Sequence, residues 1–256
     1  AIKVMLPKVA VRPAARDMFL REIENMKALR HKNIVQLIDH GNSAGTFFMT
    51  LEYCAGGSVQ DLIEARGGRL PLDLALDLTH QILDGLSYAH AALVPNVKRP
   101  DGTVGQGQGL VHRDIKTLNV FLPSTGPDMV AKVADYGLAK AFDNAGLSGQ
   151  TRTGMAAGSP SFIPRQQVVN YKYVKPDVDV WAAAASLYYM ITGCYPRDYP
   201  SDMDPWRITL QEDPVPIRDR GVPVPDELAD VLDTALRDRP ALHFKTADEL
   251  QRALRG

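Results

Sequence analysis

Hydrophobic residues in the first 54 positions follow strand-like and helix-like spacing in turn. Residues 1–6 form an apolar run typical of a strand, and the proline-flanked stretch 7–13 predicts the loop that ends it. From 16 to 30, apolar residues recur every three or four positions with charges between them, which predicts an amphipathic helix. Strand-like runs follow at 34–38 and 46–53. This order predicts a small lobe of strands and one helix.

The pattern becomes mainly helical after the flexible stretch Ala55-Gly56-Gly57. Helical periodicity recurs in four stretches: 72–92, 180–192, 226–236 and 246–254. The stretch 180–192 is apolar on nearly all sides, as expected of a helix at the centre of a lobe. Short strands are predicted around Val120 and Val133. A larger helical lobe therefore follows the small one.

Residues 92–110, "ALVPNVKRPDGTVGQGQGL", fit neither lobe. The "GQGQG" run follows a predicted helix rather than a strand and has no helix after it, so a phosphate-binding loop is disfavoured. A surface insertion, with a hairpin turning at Asp101-Gly102, is the better interpretation.

Composition removes several classes of function. A formal net charge of -1 gives no electrostatic reason to expect nucleic acid or an anionic membrane as the main partner. Cys54 and Cys194 are the two cysteines, and neither they nor the six histidines show metal-ligand spacing. The apolar run 180–194 is too short to span a bilayer, and two cysteines so far apart suit a reducing compartment better than a disulfide scaffold. These features predict a cytoplasmic location with no membrane segment.

The strongest chemical signal is "HRDIKTLNV", from His112 to Val120. The spacing H-R-D-x-K-x-x-N fixes five residues, and a chance occurrence in a chain of this length has odds of about one in ten thousand. Sixteen residues after Asn119 comes "DYG", Asp135 to Gly137, which follows an apolar strand-like run.

In this order the motifs resemble those of a eukaryotic-like serine/threonine protein kinase of the bacterial type, over essentially the whole chain. The resemblance implies an α+β, bilobal kinase fold. Residues 1–54 would form a small, mostly β lobe with its C-helix, and 55–256 a larger, mostly α lobe with the insertion at about 92–110. It also implies that the chain starts at the third strand, so that two strands and the Gly-rich loop are missing from an incomplete small lobe.

Phosphoryl transfer needs a carboxylate to orient and deprotonate a hydroxyl, cations beside the phosphates and a metal held by oxygen ligands. By resemblance, Asp114 is the catalytic base and Lys116 steadies the transferred group. Asn119 and Asp135 would hold Mg²⁺, and ATP would be the phosphate donor.

The resemblance also gives Lys3 a role, because kinases carry a strand lysine that binds the α- and β-phosphates and pairs with a glutamate of the next helix. Glu22 occupies the expected turn of "FLREIENMKALRHKNIV". Glu24 is the nearby rival, but it lies about 200° round the helix, so both cannot face the cleft.

The segment "MTLEYCAGG" resembles the hinge between kinase lobes. The resemblance implies nucleotide contacts from six residues of this hinge and its surroundings. Leu51 would be the gatekeeper, the backbone of Glu52 and Cys54 would bind the adenine edge, Ala1 and Phe121 would cover the ring, and Ser58 would approach the ribose. Core packing of Phe121 is an equally simple interpretation.

Regulation is implied by Arg113, which precedes the catalytic aspartate and could bind a phosphate on the activation loop. The loop contains Thr151-Arg152-Thr153, similar to the paired threonines of bacterial kinases, so Thr151 and Thr153 are predicted autophosphorylation sites. In "DVDVWAAAAS", Asp179 would bind the backbone of the His112-Arg113 turn; a helix N-cap is the alternative.

Two positions depart from the family. Aligning "GSPSFIPRQQ" with the usual A-P-E places Gln166 at the glutamate, and His243 stands where its arginine partner is expected. We therefore predict that Gln166 and His243 share a neutral hydrogen bond, since exchanging both ends of a buried ion pair can be nearly neutral. Tyr136 replaces the usual phenylalanine and adds a hydroxyl that needs a partner.

The sequence thus predicts an ATP- and Mg²⁺-dependent kinase that acts on serine and threonine of protein substrates. Its alternative is a pseudokinase, a scaffold or allosteric binding module with little turnover. Fusion to further domains is expected, and nucleic acid is not expected as a partner.

Overall fold

A computed structural model describes residues 1–4, 13–98, 103–126, 128–136, 159–171 and 174–256. The first lobe contains one antiparallel sheet, with its strands in the order β1, β3, β2. Its elements are β1 (Ile2–Val4), helix α1 (Pro13–Lys27), β2 (Leu37–Ser43) and β3 (Thr46–Leu51). Lys3 lies opposite Met49 in the central pairing. The helix and strands predicted for this lobe are present.

The second strand starts at Leu37 rather than at Ile34, where the apolar run begins. Ile34 instead forms a single bridge with Val133 of the larger lobe, and the Val35 amide donates to the Val133 carbonyl at 2.9 Å. The Val133 amide in turn donates to the Asn33 carbonyl at 2.9 Å. Residues 33–35 therefore join the two lobes instead of extending the sheet.

Seven α-helices of the larger lobe fall within the described residues. They are α2 (Val59–Ala65), α3 (Leu72–Ala91), α4 (Arg165–Val169), α5 (Asp177–Thr192), α6 (Pro205–Gln211), α7 (Asp226–Leu236) and α8 (Ala247–Ala253). Helix α5 is buried on almost every side and packs against α3 and α7, as its apolar pattern predicts. The bilobal α+β architecture is confirmed.

The sequence pattern did not predict α2, α4 and α6. Each has only five to seven residues, so the hydrophobic spacing hardly repeats and gives a weak signal; α8 is as short, but it lies within the longer periodic stretch 246–254. A local signal for α2 does exist, because Ser58 and Asp61 form a reciprocal capping box at its start.

Two pairs of short strands lie at the border of the lobes. Strands β6 (Val120–Phe121) and β7 (Lys132–Val133) lie where two short strands are predicted, and they pair antiparallel. Strands β4 (Leu93–Lys98) and β5 (Val104–Gln108) form the antiparallel hairpin predicted within 92–110, and its turn at 101–102 lies outside the described residues.

The glycines of "GQGQG" serve this hairpin. A Cβ on Gly107 would lie 2.9 Å from the Val97 side chain, and Gly109 has a positive φ of 90° with the His90 carbonyl 2.9 Å from an added Cβ. Close strand contact and a left-handed turn therefore account for two of the three glycines.

Among the described residues, no helix combines the length and apolar character required to cross a membrane. The cytoplasmic location stays a prediction.

Candidate functional site

The segment His112–Asn119 is held from beneath by Asp179, at the start of α5. The two Asp179 carboxylate oxygens accept the backbone amides of His112 and Arg113, each at 2.7 Å. His90 of α3 contacts the same carboxylate at 2.8 Å. Burial alone would raise the pKa of Asp179, but His90, His112 and the Arg113 amide hold it below its ordinary value. Asp179 is therefore a buried anchor for this segment, and not an N-cap of α5.

Three predicted polar residues of the segment meet above this anchor. Lys116 Nζ lies 2.9 Å from Asp114 Oδ2, and Asn119 Nδ2 donates to the same oxygen at 2.9 Å and to the Asp114 carbonyl at 2.7 Å. Lys116 also donates to Ser159 Oγ at 2.9 Å. A carboxylate held by a cation and an amide is suited to orient an incoming hydroxyl group.

Asp135 follows β7 and faces the small lobe. Its backbone has a positive φ of 66°, which is uncommon for a residue with a side chain and often marks a functional site. The neighbouring Ala134 amide donates to the Asn119 carbonyl at 2.9 Å, which brings Asp135 beside the segment. Lys3 of β1 forms an ion pair with Asp135. The two motifs and the first strand therefore converge on one cleft.

Asn119 and Asp135 fit the oxygen chemistry of a Mg²⁺ site. The Asn119 amide nitrogen faces Asp114, which directs its oxygen away from that residue. Mg²⁺ is usually bound by one or two protein oxygens together with water and substrate phosphates. Among the described residues, no group of three or more His, Cys, Asp or Glu is placed to hold a metal. The arrangement suits a metal that arrives with a phosphate ligand.

The two glutamates of α1 differ as helical geometry predicts. Glu22 is half-buried, whereas Glu24 is exposed and pairs with Lys27 at 2.7 Å. The ion pair that the structure describes for Lys3 is with Asp135, and its pairing with Glu22 stays a prediction.

The predicted hinge follows β3. Leu51 is buried, and its amide donates to the Ala1 carbonyl at 2.8 Å, which places Ala1 beside the hinge. The Glu52 side chain pairs with Lys132 at 3.0 Å and accepts the Gln36 amide, so it is turned to the lobe junction. Burial, with the nearby Glu52 carboxylate, raises the pKa of the Cys54 thiol. The resemblance assigns the adenine contact to the backbone of Glu52 and Cys54 and not to these side chains, and that contact stays a prediction.

Ser58 and Phe121 lie next to each other through a single antiparallel bridge. Phe121 is half-buried and packs against the core, in agreement with both interpretations of this residue. The Ser58 side chain is buried, and its hydroxyl exchanges hydrogen bonds with Asp61 in the cap of α2. The hydroxyl proton is therefore engaged by Asp61, and the approach of Ser58 to a ribose stays a prediction.

Arg113 also has a positive φ, 73°, and its guanidinium lies over the Tyr171 ring, 5.7 Å from the centroid. Its Nη1 atom is buried and has no hydrogen-bond partner in the described part of the chain. Thr151 and Thr153, the predicted phosphorylation sites, lie outside the described residues.

The predicted hydrogen bond between Gln166 and His243 is wrong. Gln166 Nε2 donates to the Asp238 carbonyl at 2.7 Å, and its Oε1 is buried with no hydrogen-bond partner among the described residues. The ion pair of this region belongs to the preceding residue, because Arg165 binds the fully buried Asp238 carboxylate. The buried ion pair at this place therefore joins Arg165 to Asp238, and neither Gln166 nor His243 belongs to it.

Arg197 is a second partner of Asp238, and the sequence did not predict it. It binds the second Asp238 oxygen at 2.5 Å, and its guanidinium lies over the Trp181 ring at 5.3 Å from the centroid. Arg197 lies 41 positions from Asp238 and belongs to no motif, so no sequence signal pointed to it.

Comparisons with known proteins show which family the chain is similar to. Residues 1–242 match the family described as "Protein kinase domain". A Corynebacterium efficiens protein named "Serine/threonine-protein kinases drp72" is 30% identical over 259 residues, which cover 99% of this chain and 45% of that protein. The "Tyrosine-protein kinase MasK" of Myxococcus xanthus is 30% identical over 256 residues, covering 99% and 37%. The chain thus spans less than half the length of these two relatives.

A solved structure is similar over nearly the whole chain. The kinase domain of Mycobacterium tuberculosis PknI superposes with a TM-score of 0.64 and 23% identity, covering 99% of this chain and 84% of that one. At this identity the similarity concerns the fold.

Proposed function

The chain belongs to the protein kinase family, and we propose that it transfers the γ-phosphate of ATP, with Mg²⁺, to serine and threonine hydroxyls of protein substrates. The observation that carries the proposal is that Lys116 and Asn119 both contact the Asp114 carboxylate at 2.9 Å. Beside this group, Lys3 pairs with Asp135. A chain that had kept only the fold would have no need to hold these five side chains together.

Each of these side chains has a defined task in the proposed reaction. The Asp114 carboxylate accepts the proton of the substrate hydroxyl, and its contacts with Lys116 and Asn119 fix its orientation. Lys116 also places a positive charge beside the transferred group. Lys3 binds the nucleotide phosphates, which requires it to exchange its contact with Asp135. Asn119 and Asp135 would hold Mg²⁺, which would neutralise negative charge on the phosphates.

The acceptor class rests on Lys116, because the resemblance associates a lysine at this position with serine/threonine kinases. Named relatives of similar identity include both a serine/threonine kinase and a tyrosine kinase, so the acceptor must be measured. The length of those relatives supports the further proposal that this domain is fused to others.

Regulation by phosphorylation of Thr151 and Thr153 is part of the proposal. The buried Arg113 Nη1, which lacks a hydrogen-bond partner among the described residues, supports it because a phosphate would supply a charge-assisted partner. Mass mapping after incubation with Mg-ATP should find phosphate on at least one of the two threonines, and none in Asp114→Asn. An active protein with both threonines unmodified would contradict this part.

The main test uses the full-length protein, radiolabelled ATP and three peptide libraries with serine, threonine or tyrosine as the sole acceptor. Transfer to serine and threonine is expected, with losses of about 100-fold or more in Asp114→Asn, as removal of a catalytic base implies. Lys3→Met and Asp135→Ala are the controls for the nucleotide and metal positions. Transfer to tyrosine alone would reject the acceptor class.

The pseudokinase alternative makes a different prediction in the same samples. It predicts thermal stabilisation by Mg-ATP with no transfer to any library, at a protein concentration where a known kinase gives a clear signal. That outcome would replace the enzyme by a nucleotide-binding scaffold.

A further inference from the structure

The β4–β5 hairpin contacts both lobes and has no part in the proposed reaction. It leaves the larger lobe at the end of α3, where the Gly109 amide donates to the Ala92 carbonyl at 2.8 Å and the Leu110 amide to the Ala89 carbonyl at 2.9 Å. His112, the first residue of the catalytic segment, follows two positions after Leu110. Strand β4 packs against α1, the small-lobe helix that carries Glu22.

A two-stranded hairpin is only marginally stable by itself, so its position depends on what it packs against. Val94 is fully buried, which fixes the base of the hairpin in the core. Farther along the strand, the pairing register shifts between Val94 and Val97, so Pro95 and Asn96 form an irregular step opposite β5. Such a bulge removes backbone groups from the ladder, and proline is tolerated there.

Asn25 of α1 takes up the backbone groups that this step releases. Its Oδ1 accepts the Asn96 amide at 3.0 Å, and its Nδ2 donates to the Asn96 carbonyl at 3.3 Å. Asn25 is 3% exposed, whereas an asparagine on a helix usually faces solvent. Both Asn96 atoms belong to the backbone, so the pair recognises the shape of the bulge and not the Asn96 side chain.

We propose that Asn25 is a positioning residue, which fastens α1 to the hairpin and thereby holds Glu22 in register with the catalytic segment. Glu22 lies three residues before Asn25, about 60° away on the helix, so a rotation or shift of α1 at Asn25 displaces both together. The hairpin is a continuous link from this contact to His112. The inference rests on the proposed kinase function, because Glu22 matters only if Lys3 binds phosphates.

The test compares Asn25→Ala, Asn96→Pro and Asn96→Ala in the full-length protein. Asn25→Ala loses both hydrogen bonds, Asn96→Pro loses the amide donor alone, and Asn96→Ala keeps both because only its backbone takes part. We expect kcat/KM for Mg-ATP to fall by about tenfold in Asn25→Ala, which loses two buried hydrogen bonds, and by about threefold in Asn96→Pro, which loses one. Asn96→Ala loses neither bond and should keep the parent value. The KM for the peptide substrate should be unchanged in all three.

Hydrogen exchange supplies a readout that does not depend on catalysis. Amides of α1 should exchange about tenfold faster in Asn25→Ala, whereas those of α5 should keep their protection. Val104→Ala, on the half-exposed face of β5, is the matched hairpin control and should match the parent protein in both assays. If Asn25→Ala fails to fold, kcat/KM for Mg-ATP and hydrogen exchange in α1 are compared between Asn96→Pro and Val104→Ala instead.

The inference is overturned if Asn25→Ala and Asn96→Pro keep the parent kcat/KM for Mg-ATP, or if Asn96→Ala is as impaired as Asn25→Ala. If the parent protein transfers no phosphate, the proposed function fails by itself. Exchange in α1 then decides whether Asn25 fastens the helix, and unchanged exchange in Asn25→Ala rejects the inference.

Discussion

Two aspartates of the larger lobe are fully buried, but their charges are satisfied in different ways. Asp179 accepts two backbone amides, at 2.7 Å each, and a histidine ring. These amides belong to the backbone of the catalytic segment, so the contact places that segment directly on the carboxylate. Asp179 therefore fixes the position of a loop.

Asp238 is satisfied mainly by side chains. Arg165 and Arg197 each bind one of its oxygens, and the Arg165 amide adds a third contact at 3.0 Å. Arg165 also donates to the carbonyls of Leu210 and Glu212, so the cluster joins α4 to the end of α6 and the residue that follows it. Asp238 therefore fixes how separate elements pack, and its own bonds go to Arg165, Arg197 and Gln166 and not to His112–Asn119.

The difference teaches that burial alone does not indicate a role. A buried acid bound to a loop backbone controls the geometry of that loop, whereas one bound to two arginines controls stability. Substitutions should therefore separate activity from stability at these two positions.

The largest effect on stability is expected from Asp238→Ala. It leaves two buried guanidinium groups without their shared counter-ion, which should lower the free energy of unfolding by about 3 to 5 kcal/mol. Urea unfolding measures the change. Asp213→Ala is the matched control, because Asp213 also contacts Arg165, at 3.1 Å, but is 68% exposed and should cost less than about 1 kcal/mol. Equal losses in the two variants would remove the distinction between buried and exposed partners.

Asp179→Asn should have a smaller effect on stability and a larger one on activity. One carboxylate oxygen would be replaced by an NH₂ group, which cannot accept the backbone N–H that it faces. This loss should lower the free energy of unfolding by about 1 to 3 kcal/mol. Displacement of Asp114 should lower kcat by about 100-fold, since a misplacement of about 1 Å can have that effect. Phosphate transfer at a temperature where the variant is folded measures it.

Asp177→Asn is the control for this substitution. Asp177 lies on the same first turn of α5, but its ion pair is a 3.8 Å contact with Lys245 and not with the catalytic segment. Near-parent kcat is expected for Asp177→Asn. If both variants lose activity equally, the anchor role of Asp179 is wrong.

The same two aspartates show how far the sequence predicts the site. Asp179 was predicted, because its motif stands in a fixed order with "HRD" and "DYG", and Asp114, Lys116 and Asn119 were predicted to act together and lie together. The Asp238 cluster was not, since its partners are 41 and 73 positions away and a buried ion pair leaves no periodic pattern. The same limit applies to Asn25, whose partner is a backbone bulge with no side-chain signature.

Acid should reduce the contribution of the Asp179 carboxylate to the free energy of unfolding. The pKa of Asp179 is held below its ordinary value of 3.8 by His90, His112 and the Arg113 amide, against the effect of burial. Because the unfolded chain binds this proton more readily, the contribution of Asp179 is complete above the ordinary pKa and is lost as the pH falls through the folded pKa. Urea midpoints measured from roughly pH 5 to pH 3 should therefore fall less steeply in Asp179→Asn than in the parent protein. Parallel curves would show that the carboxylate is not stabilised as described.

The smallest effect is expected from Tyr136→Phe, a variant that tests whether the Tyr136 hydroxyl helps Asp179 to hold the catalytic segment. The Tyr136 ring packs edge-on against His112 with the centroids 4.7 Å apart, and its hydroxyl donates to the Gly85 carbonyl at 3.4 Å. Burial, with the Asp179 charge, raises the pKa of this hydroxyl well above its ordinary value, so it stays protonated and can donate.

The hydrogen bond from Tyr136 to Gly85 is long and therefore weak, so Tyr136→Phe should change the free energy of unfolding by less than about 1 kcal/mol and keep near-parent kcat. Tyr136→Ala is the contrast, because loss of the ring also removes the packing that supports His112 and should lower the free energy of unfolding more than Tyr136→Phe does. If Tyr136→Phe lowers kcat as much as Asp179→Asn does, the hydroxyl belongs to the anchor of the catalytic segment and the backbone contacts of Asp179 are only part of it.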